Sequence, residues 1–258
     1  MSNYFDLSGK TALITGASRG LGARFSKVLS ESGCNIIAVA RNESNLSNLC
    51  DQIEEQGGRV RPIKMDISDP SAIISCVDSI NKSGDKIDIL INNATGSALT
   101  PISSPHIEEW QQHLNTNLLG PWILIQKISQ HMISNAIAGS IINIASINGE
   151  DAPCTLAAAY CSTKAGLIQL TKQLVGELSP HQIRINTISP GLFYTDMTKN
   201  NIDENKEELE GKIPLGFIAN PDDLDAAILF LSSNKASRYM TGACLTIDGG
   251  ASANCRVL

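Results

Sequence analysis

The sequence contains no hydrophobic run approaching the ~20 residues that a helix needs to cross a bilayer, which excludes a helical membrane span. It also has no basic stripe. Lys and Arg number 20 against 26 Asp and Glu, a formal charge of −6, and phosphate clamping needs clustered cations. Nucleic acid and anionic membrane are therefore not expected partners, which leaves small molecules and copies of the chain itself. Seven cysteines (Cys34, Cys50, Cys76, Cys154, Cys161, Cys244 and Cys255) show no Cys-x-x-Cys spacing. An odd, scattered set reads as reduced thiols rather than a disulfide frame or a metal site. The four histidines are dispersed as well. His106 and His113 are the pair able to share a helix face; they read as polar surface, and no metal is expected. The opening residues carry neither a basic patch nor an apolar leader segment, so the expected compartment is the cytosol.

What is present is alternation. Short runs rich in Ile and Val occur at 11–15, 35–40, 60–65, 87–91, 140–145, 184–188 and 244–247, with amphipathic stretches between them. That is the pattern of βαβ units around a buried parallel sheet. Right-handed crossovers turn it into an α/β, Rossmann-type, doubly wound sheet of seven strands in a single domain over 1–258. The longest irregular stretch, 190–220, precedes a helix beginning near Pro221 and reads as a substrate lid; its acidic part, 203–210, reads as a solvated helix face.

Directly after the first strand stands Thr15-Gly16-Ala17-Ser18-Arg19-Gly20-Leu21-Gly22, followed by a helix with Phe25, Val28 and Leu29 on its apolar side. Glycines let backbone approach a pyrophosphate, and the N–H groups and dipole of the helix start favour its charge. The spacing T-G-x-x-x-G-x-G resembles that of the short-chain dehydrogenase/reductase family. The match runs from Gly9-Lys10-Thr11-Ala12-Leu13-Ile14 to Ile247-Asp248-Gly249-Gly250. It is nearest to the branch of 3-oxoacyl reductases and gluconate or polyol dehydrogenases. The resemblance implies a nicotinamide dinucleotide cradled by Gly16, Ser18, Arg19, Gly20, Leu21 and Gly22.

At the end of the second strand an NAD enzyme places an acid for the ribose 2′-hydroxyl. This chain has Ala40 followed by Arg41. With Arg19, two guanidiniums can converge on a 2′-phosphate, so NADP(H) is expected over NAD(H). The resemblance further implies an adenine contact from Asp66 and Ile67, a nicotinamide-ribose wall from Asn93 and Ala94, and a carboxamide clamp from Pro190, Gly191 and Thr195. Thr95 departs from the family's glycine. A β-branched residue resists φ > 0, so either this position needs no such φ or Gly96 supplies the turn.

Tyr160 and Lys164 lie one helical turn apart, on one face, in a stretch that Leu167, Leu170, Leu174 and Leu178 mark as helix. A phenol has a pKa near ~10, and a neighbouring cation lowers it. Ser146 ends the fifth strand, at the carboxyl edge where doubly wound sheets hold ligands. The resemblance implies roles: Ser146 polarises a substrate carbonyl, Tyr160 transfers the proton, and Lys164 binds ribose and tunes Tyr160. The resemblance also implies that Asn117 helps hold a water that relays protons to the lysine. Pro121 lacks the N–H that would meet the Asn117 carbonyl. That carbonyl either marks a plain kink or turns to the relay. Cys161, beside Tyr160, reads as a packing residue.

The expected activity is an NADP-linked oxidoreductase acting on CH–OH groups, running toward reduction. Its rivals are a sensor or scaffold of the same fold without turnover, and a polyol or gluconate dehydrogenase working oxidatively. Carrier-protein reductases present arginines near the positions held here by Ile137 and His181. The family also implies a homotetramer, or a dimer, built on the long helices around Asn117 and Tyr160.

Overall fold

A computed structural model describes residues 4–96, 107–150 and 156–253. His106, Cys154 and Cys255 lie outside the described residues. In chain order the elements are β1 (Thr11–Thr15), α1 (Gly20–Glu31), β2 (Asn35–Ala40), α2 (Glu43–Glu55), β3 (Val60–Lys64), α3 (Pro70–Ser83), β4 (Ile89–Asn92) and α4 (Ile107–Leu114). They continue with α5 (Gly120–Ser134), β5 (Ser140–Ile144), α6 (Ala158–Leu178), β6 (Arg184–Pro190), α7 (Lys199–Glu210), α8 (Asp225–Ser232) and β7 (Cys244–Ile247).

The seven strands form one sheet in the order β3-β2-β1-β4-β5-β6-β7, and every pairing is parallel. Strand side chains alternate between faces, so each fully buried strand serves two cores. Ala12 and Ile14 of β1 pack with Phe25, Leu29, Leu46, Ile228 and Leu231, beneath α1, α2 and α8. Leu13 points the other way, to Ile73, Ile80, Leu124 and Ile128 beneath α3 and α5. The order of connection reverses between β1 and β4, which opens a crevice at the carboxyl ends of the strands.

Local chemistry sets the helix ends that frame this crevice. Asn42 caps α2 by accepting from Asn45 N–H at 3.0 Å. Asp69 caps α3, whose first turn holds Pro70 and whose last residue is followed by Gly84 in the left-handed region. A π turn at Asn115–Leu119 interrupts the helical run from α4 into α5, immediately before Gly120 and Pro121. It is the kind of interruption that a missing N–H provokes.

Several expectations shift. The fourth strand begins at Ile89 rather than 87, because the Ile87 amide is taken by His131 Nε2 at 3.1 Å. The third ends at Lys64 and the fifth at Ile144, each one residue short of expectation. The sixth continues to Pro190, which pairs with Ile247 of β7. The stretch 190–220 is less irregular than expected: it holds α7, and a parallel bridge joins Phe193 to Ala219. The element at Pro221 is a 3-10 turn leading into α8. His113 is 4% exposed, not surface. Among the described residues no helix is long and apolar enough to cross a membrane.

Candidate active site

A cleft of about 420 Å³ lies along the carboxyl edge of β1, β2, β4, β5 and β6. Its nucleotide half is built on the turn from β1 into α1. Gly16 and Gly20 take left-handed φ values of 65° and 55°, a conformation natural to glycine. Arg19 occupies the α1 N-cap in extended conformation with no side-chain capping bond, and the first turn holds no acid. The leading N–H groups are thus left for an anion. Behind the turn, Asn93 Nδ2 donates to the carbonyls of Thr15 at 2.9 Å and Gly16 at 3.2 Å. Thr15 Oγ1 accepts from the backbone of Asn93 at 3.0 Å and of Ala94 at 3.1 Å, tying β1 to β4.

Ser18, Leu21, Ile67, Ala94, Pro190 and Gly191 line the cleft with Arg19 and Arg41. Arg41 Nη1 stands 3.7 Å from Asp66 Oδ2, an exposed pair. Burial pushes the Asp66 carboxyl up, but hydrogen bonds from the Ser68 backbone and hydroxyl, with Arg41, hold it below its ordinary value. Asn42 and Asn45 also reach the cleft beside Arg41; neither was singled out in the sequence. Thr195 overhangs the glycine turn: a Cβ on Gly20 would come 3.8 Å from the Thr195 Cβ. The Thr195 amide is held by Thr198 Oγ1 at 3.0 Å. Uncapped helix N–H groups and two arginines as donors, with the Asp66 carboxylate as acceptor, suit a dinucleotide.

The reactive half lies where β5 ends. Ser146, 7% exposed, accepts from Asn148 N–H at 3.2 Å. Tyr160 is half-buried, and Lys164 Nζ sits 5.6 Å from the centre of its ring. Lys164 is 2% exposed and donates to the Ile144 carbonyl at 2.7 Å. Burial lowers its pKa to about 7. The helix beneath these groups is anchored by buried polar links: Asn92 Nδ2 donates to Asn143 Oδ1 at 2.8 Å, and Asn143 Nδ2 to Thr171 Oγ1 at 2.9 Å. Neither Asn143 nor Thr171 had any sequence signal beyond sitting in an apolar run.

Two expected site residues stand one layer back from the cleft. A Cβ on Gly22 would fall 2.3 Å from the Gly16 carbonyl, so this glycine lets α1 close against the turn. Asn117, 1% exposed, directs its amide to the Gly96 backbone rather than into the cleft. Thr95 itself lines the cleft, and neither it nor Gly96 has a left-handed φ. The position does not need a glycine here. Phe193 is buried while Met197 is half exposed at the cleft mouth, and the Tyr194 hydroxyl donates to Asp203 at 3.0 Å. Cys161 is half-buried on α6.

The profile of the short chain dehydrogenase family matches residues 10–206. The chain is 34% identical over 250 residues to 3beta-hydroxysteroid dehydrogenase 1 of Eggerthella lenta, covering 96% of this chain and 95% of that protein. It is 35% identical over 244 residues to the 3-oxoacyl-[acyl-carrier-protein] reductase FabG of Chlamydia pneumoniae, covering 95% and 97%. A crystal structure of a gluconate 5-dehydrogenase from Burkholderia cenocepacia in complex with NADP and tartrate superposes with a TM-score of 0.92. It is 30% identical, and 98% of each chain is covered.

Proposed function

The chain belongs to the short-chain dehydrogenase/reductase family of oxidoreductases, and from that premise we propose that it reduces a carbonyl to an alcohol with NADP(H), Tyr160 serving as proton donor. The observation that carries this reading is the meeting of Ser146, Tyr160 and Lys164 in the same cleft as Arg19 and Arg41. Arg41 follows Ala40, where an NAD enzyme would place an acid, which supports NADP(H) over NAD(H).

When bound, the nicotinamide supplies the hydride. Ser146 donates a hydrogen bond to the substrate oxygen and polarises the carbonyl. Tyr160 gives its phenolic proton to that oxygen, so its O–H bond breaks as the alcohol O–H forms. The Lys164 ammonium favours the resulting phenolate. The Asn117 carbonyl, deprived of a donor by Pro121, holds a water through which Lys164 and Tyr160 recover a proton. Gly16, Ser18, Gly20 and Leu21 hold the pyrophosphate, with Gly22 packed beneath, and Asp66 and Ile67 meet the adenine. Asn93 and Ala94 wall the nicotinamide ribose, while Pro190, Gly191 and Thr195 clamp the carboxamide.

Residues 190–220 form the substrate lid of a single domain spanning 1–258. An apolar groove lined by Leu114, Leu118, Leu119, Trp122 and Leu170 supports assembly through α4, α5 and α6, as a tetramer or a dimer. A cytosolic NADPH pool sets the direction.

The relatives' names define the substrate panel: 3-oxoacyl thioesters, ketosteroids and keto-sugar acids with NADPH, and gluconate and polyols with NADP+, followed by absorbance. Turnover of one panel member, lost in Tyr160→Phe with cofactor binding retained, is the expected result. A wild-type protein that binds NADPH and converts none of them is a sensor or scaffold. Full activity in Tyr160→Phe removes the assigned proton donor.

A further inference from the structure

Behind the reactive half of the cleft, one side-chain amide joins three elements. Asn117 pairs with the backbone of Gly96 at both ends: Oδ1 accepts from the Gly96 N–H at 2.8 Å, and Nδ2 donates to the Gly96 carbonyl at 3.1 Å. Nδ2 also lies 3.2 Å from Thr163 Oγ1, and Thr163 donates to the Tyr160 carbonyl at 2.8 Å. The segment leaving β4 is thereby fastened to the helix that carries Tyr160 and Lys164.

Two further residues press on this amide. Thr95 Oγ1 donates to Asn117 Oδ1 at 3.1 Å, so its hydroxyl turns into the wall it belongs to. His113, one turn before Asn117 and 4% exposed, hydrogen-bonds the Gly96 backbone. Its Nδ1 lies 3.4 Å from Asn117 Nδ2. Burial lowers the His113 pKa, against the Gly96 contact and the charge of Glu109, which keeps the ring neutral and able to sit beside an uncharged amide. Packing alone would be served by an aliphatic side chain, since a buried polar ring is retained only at the cost of its desolvation. Both residues therefore act on one object, the plane of the Asn117 amide.

We propose that Thr95 and His113 are positioning residues that lock the Asn117 amide between the exit of β4 and α6, and so fix the spacing between the cleft wall and Tyr160. The proposal rests on the reductase reading for its kinetic half. Its structural half stands on the Gly96 amide, whose proton is shielded only while Asn117 holds its orientation.

The test pairs amide hydrogen exchange at Gly96 in the protein without cofactor with steady-state kinetics, in Thr95→Val, Thr95→Ser, His113→Leu and His113→Asn. Thr95→Val and His113→Leu are expected to speed Gly96 exchange and to lower kcat by about tenfold each, the equivalent of one lost hydrogen bond. KM for NADPH should stay within about twofold, because the phosphate contacts lie at the other end of the cleft. Thr95→Ser and His113→Asn should restore both readouts. Unchanged Gly96 exchange in Thr95→Val overturns the proposal, and so does a kcat loss that the serine and asparagine variants share equally. Should His113→Leu not fold, Thr95→Val, a swap at a half-buried site, decides alone. Should the wild type turn over nothing, the reductase reading falls, and the exchange rates by themselves uphold or overturn the lock.

Discussion

Lys164 Nζ hydrogen-bonds the carbonyl oxygen of Ile144, the last residue of β5, at 2.7 Å. That bond places an amine inside the protein, at the end of the strand that also delivers Ser146, and so sets the charge of the reactive centre.

Its first consequence is a pH dependence of stability. Burial brings the Lys164 pKa to about 7, against ~10.4 in the unfolded chain. Between these values the unfolded chain holds a proton that the folded chain has released, so stability rises with pH across that window; below it the cost of the buried charge is fully present. Urea unfolding of wild type and Lys164→Met at pH ~7 and ~9.5 should show the wild type gaining about 3 kcal/mol relative to the variant. Taking the difference cancels the thiols of Cys34 and Cys76, raised by burial to about 12 and about 11, whose contribution falls as pH rises. Parallel curves for the two proteins would show that the lysine is charged in the fold at both pH values.

Ser146→Ala should leave the fold and NADPH affinity intact while lowering kcat on the order of 10²–10³-fold, the usual cost of removing a donor from a developing oxyanion. Fluorescence titration of NADPH beside the rate measurement separates the two effects. A variant with unaltered kcat would place the substrate oxygen elsewhere.

Arg41 is exposed and its carboxylate neighbour Asp66 stands 3.7 Å away, so the guanidinium is available to a ligand. Arg41→Ala should weaken NADPH binding by about 10–100-fold and leave NADH nearly unchanged. Equal losses for both cofactors would assign Arg41 to a contact other than the 2′-phosphate.

Gly22→Ala tests the turn itself. A Cβ there would lie 2.3 Å from the Gly16 carbonyl and 2.5 Å from Asn93 Nδ2. Relief requires backbone motion, so a destabilisation of about 3 kcal/mol is expected, with loss of NADPH binding. Thermal unfolding and titration measure both.

Pro121→Ala should let the π turn at Asn115–Leu119 anneal into regular helix, because position 121 regains an N–H. Slower turnover with unchanged melting temperature is expected. Unaltered proton-transfer kinetics would leave Pro121 as a kink and nothing more.

Much of this was legible in the residues. The glycine turn, the place of each strand in the chain and the Tyr160–Lys164 pair depend on local chemistry, and local chemistry is what a sequence displays. The start of β4 was not legible, because the Ile87 amide goes to His131, a residue distant in sequence. Nor was the burial of His113, since a histidine among Glu108, Glu109, Gln111 and Gln112 looks like surface until Gly96 arrives from the segment after β4. Asn117 was found by its motif, yet its amide proved to serve the neighbouring wall, which no spacing encodes. Residues 190–220 looked irregular because α7 is polar nearly throughout; of its residues only Ile202 is buried.

The bridge between Phe193 and Ala219, reinforced by the Tyr194 amide on the Ala219 carbonyl at 2.8 Å, ties the two ends of that excursion to each other. The excursion is thus a cassette closed at its base, with a second tie where the Leu215 amide donates to the Gly249 carbonyl at 3.1 Å. Its outer part, α7, can be shortened, lengthened or exchanged for another loop while Pro190, Gly191 and Thr195 stay in the cleft, which makes α7 the place to graft a new substrate preference onto an unaltered nucleotide half.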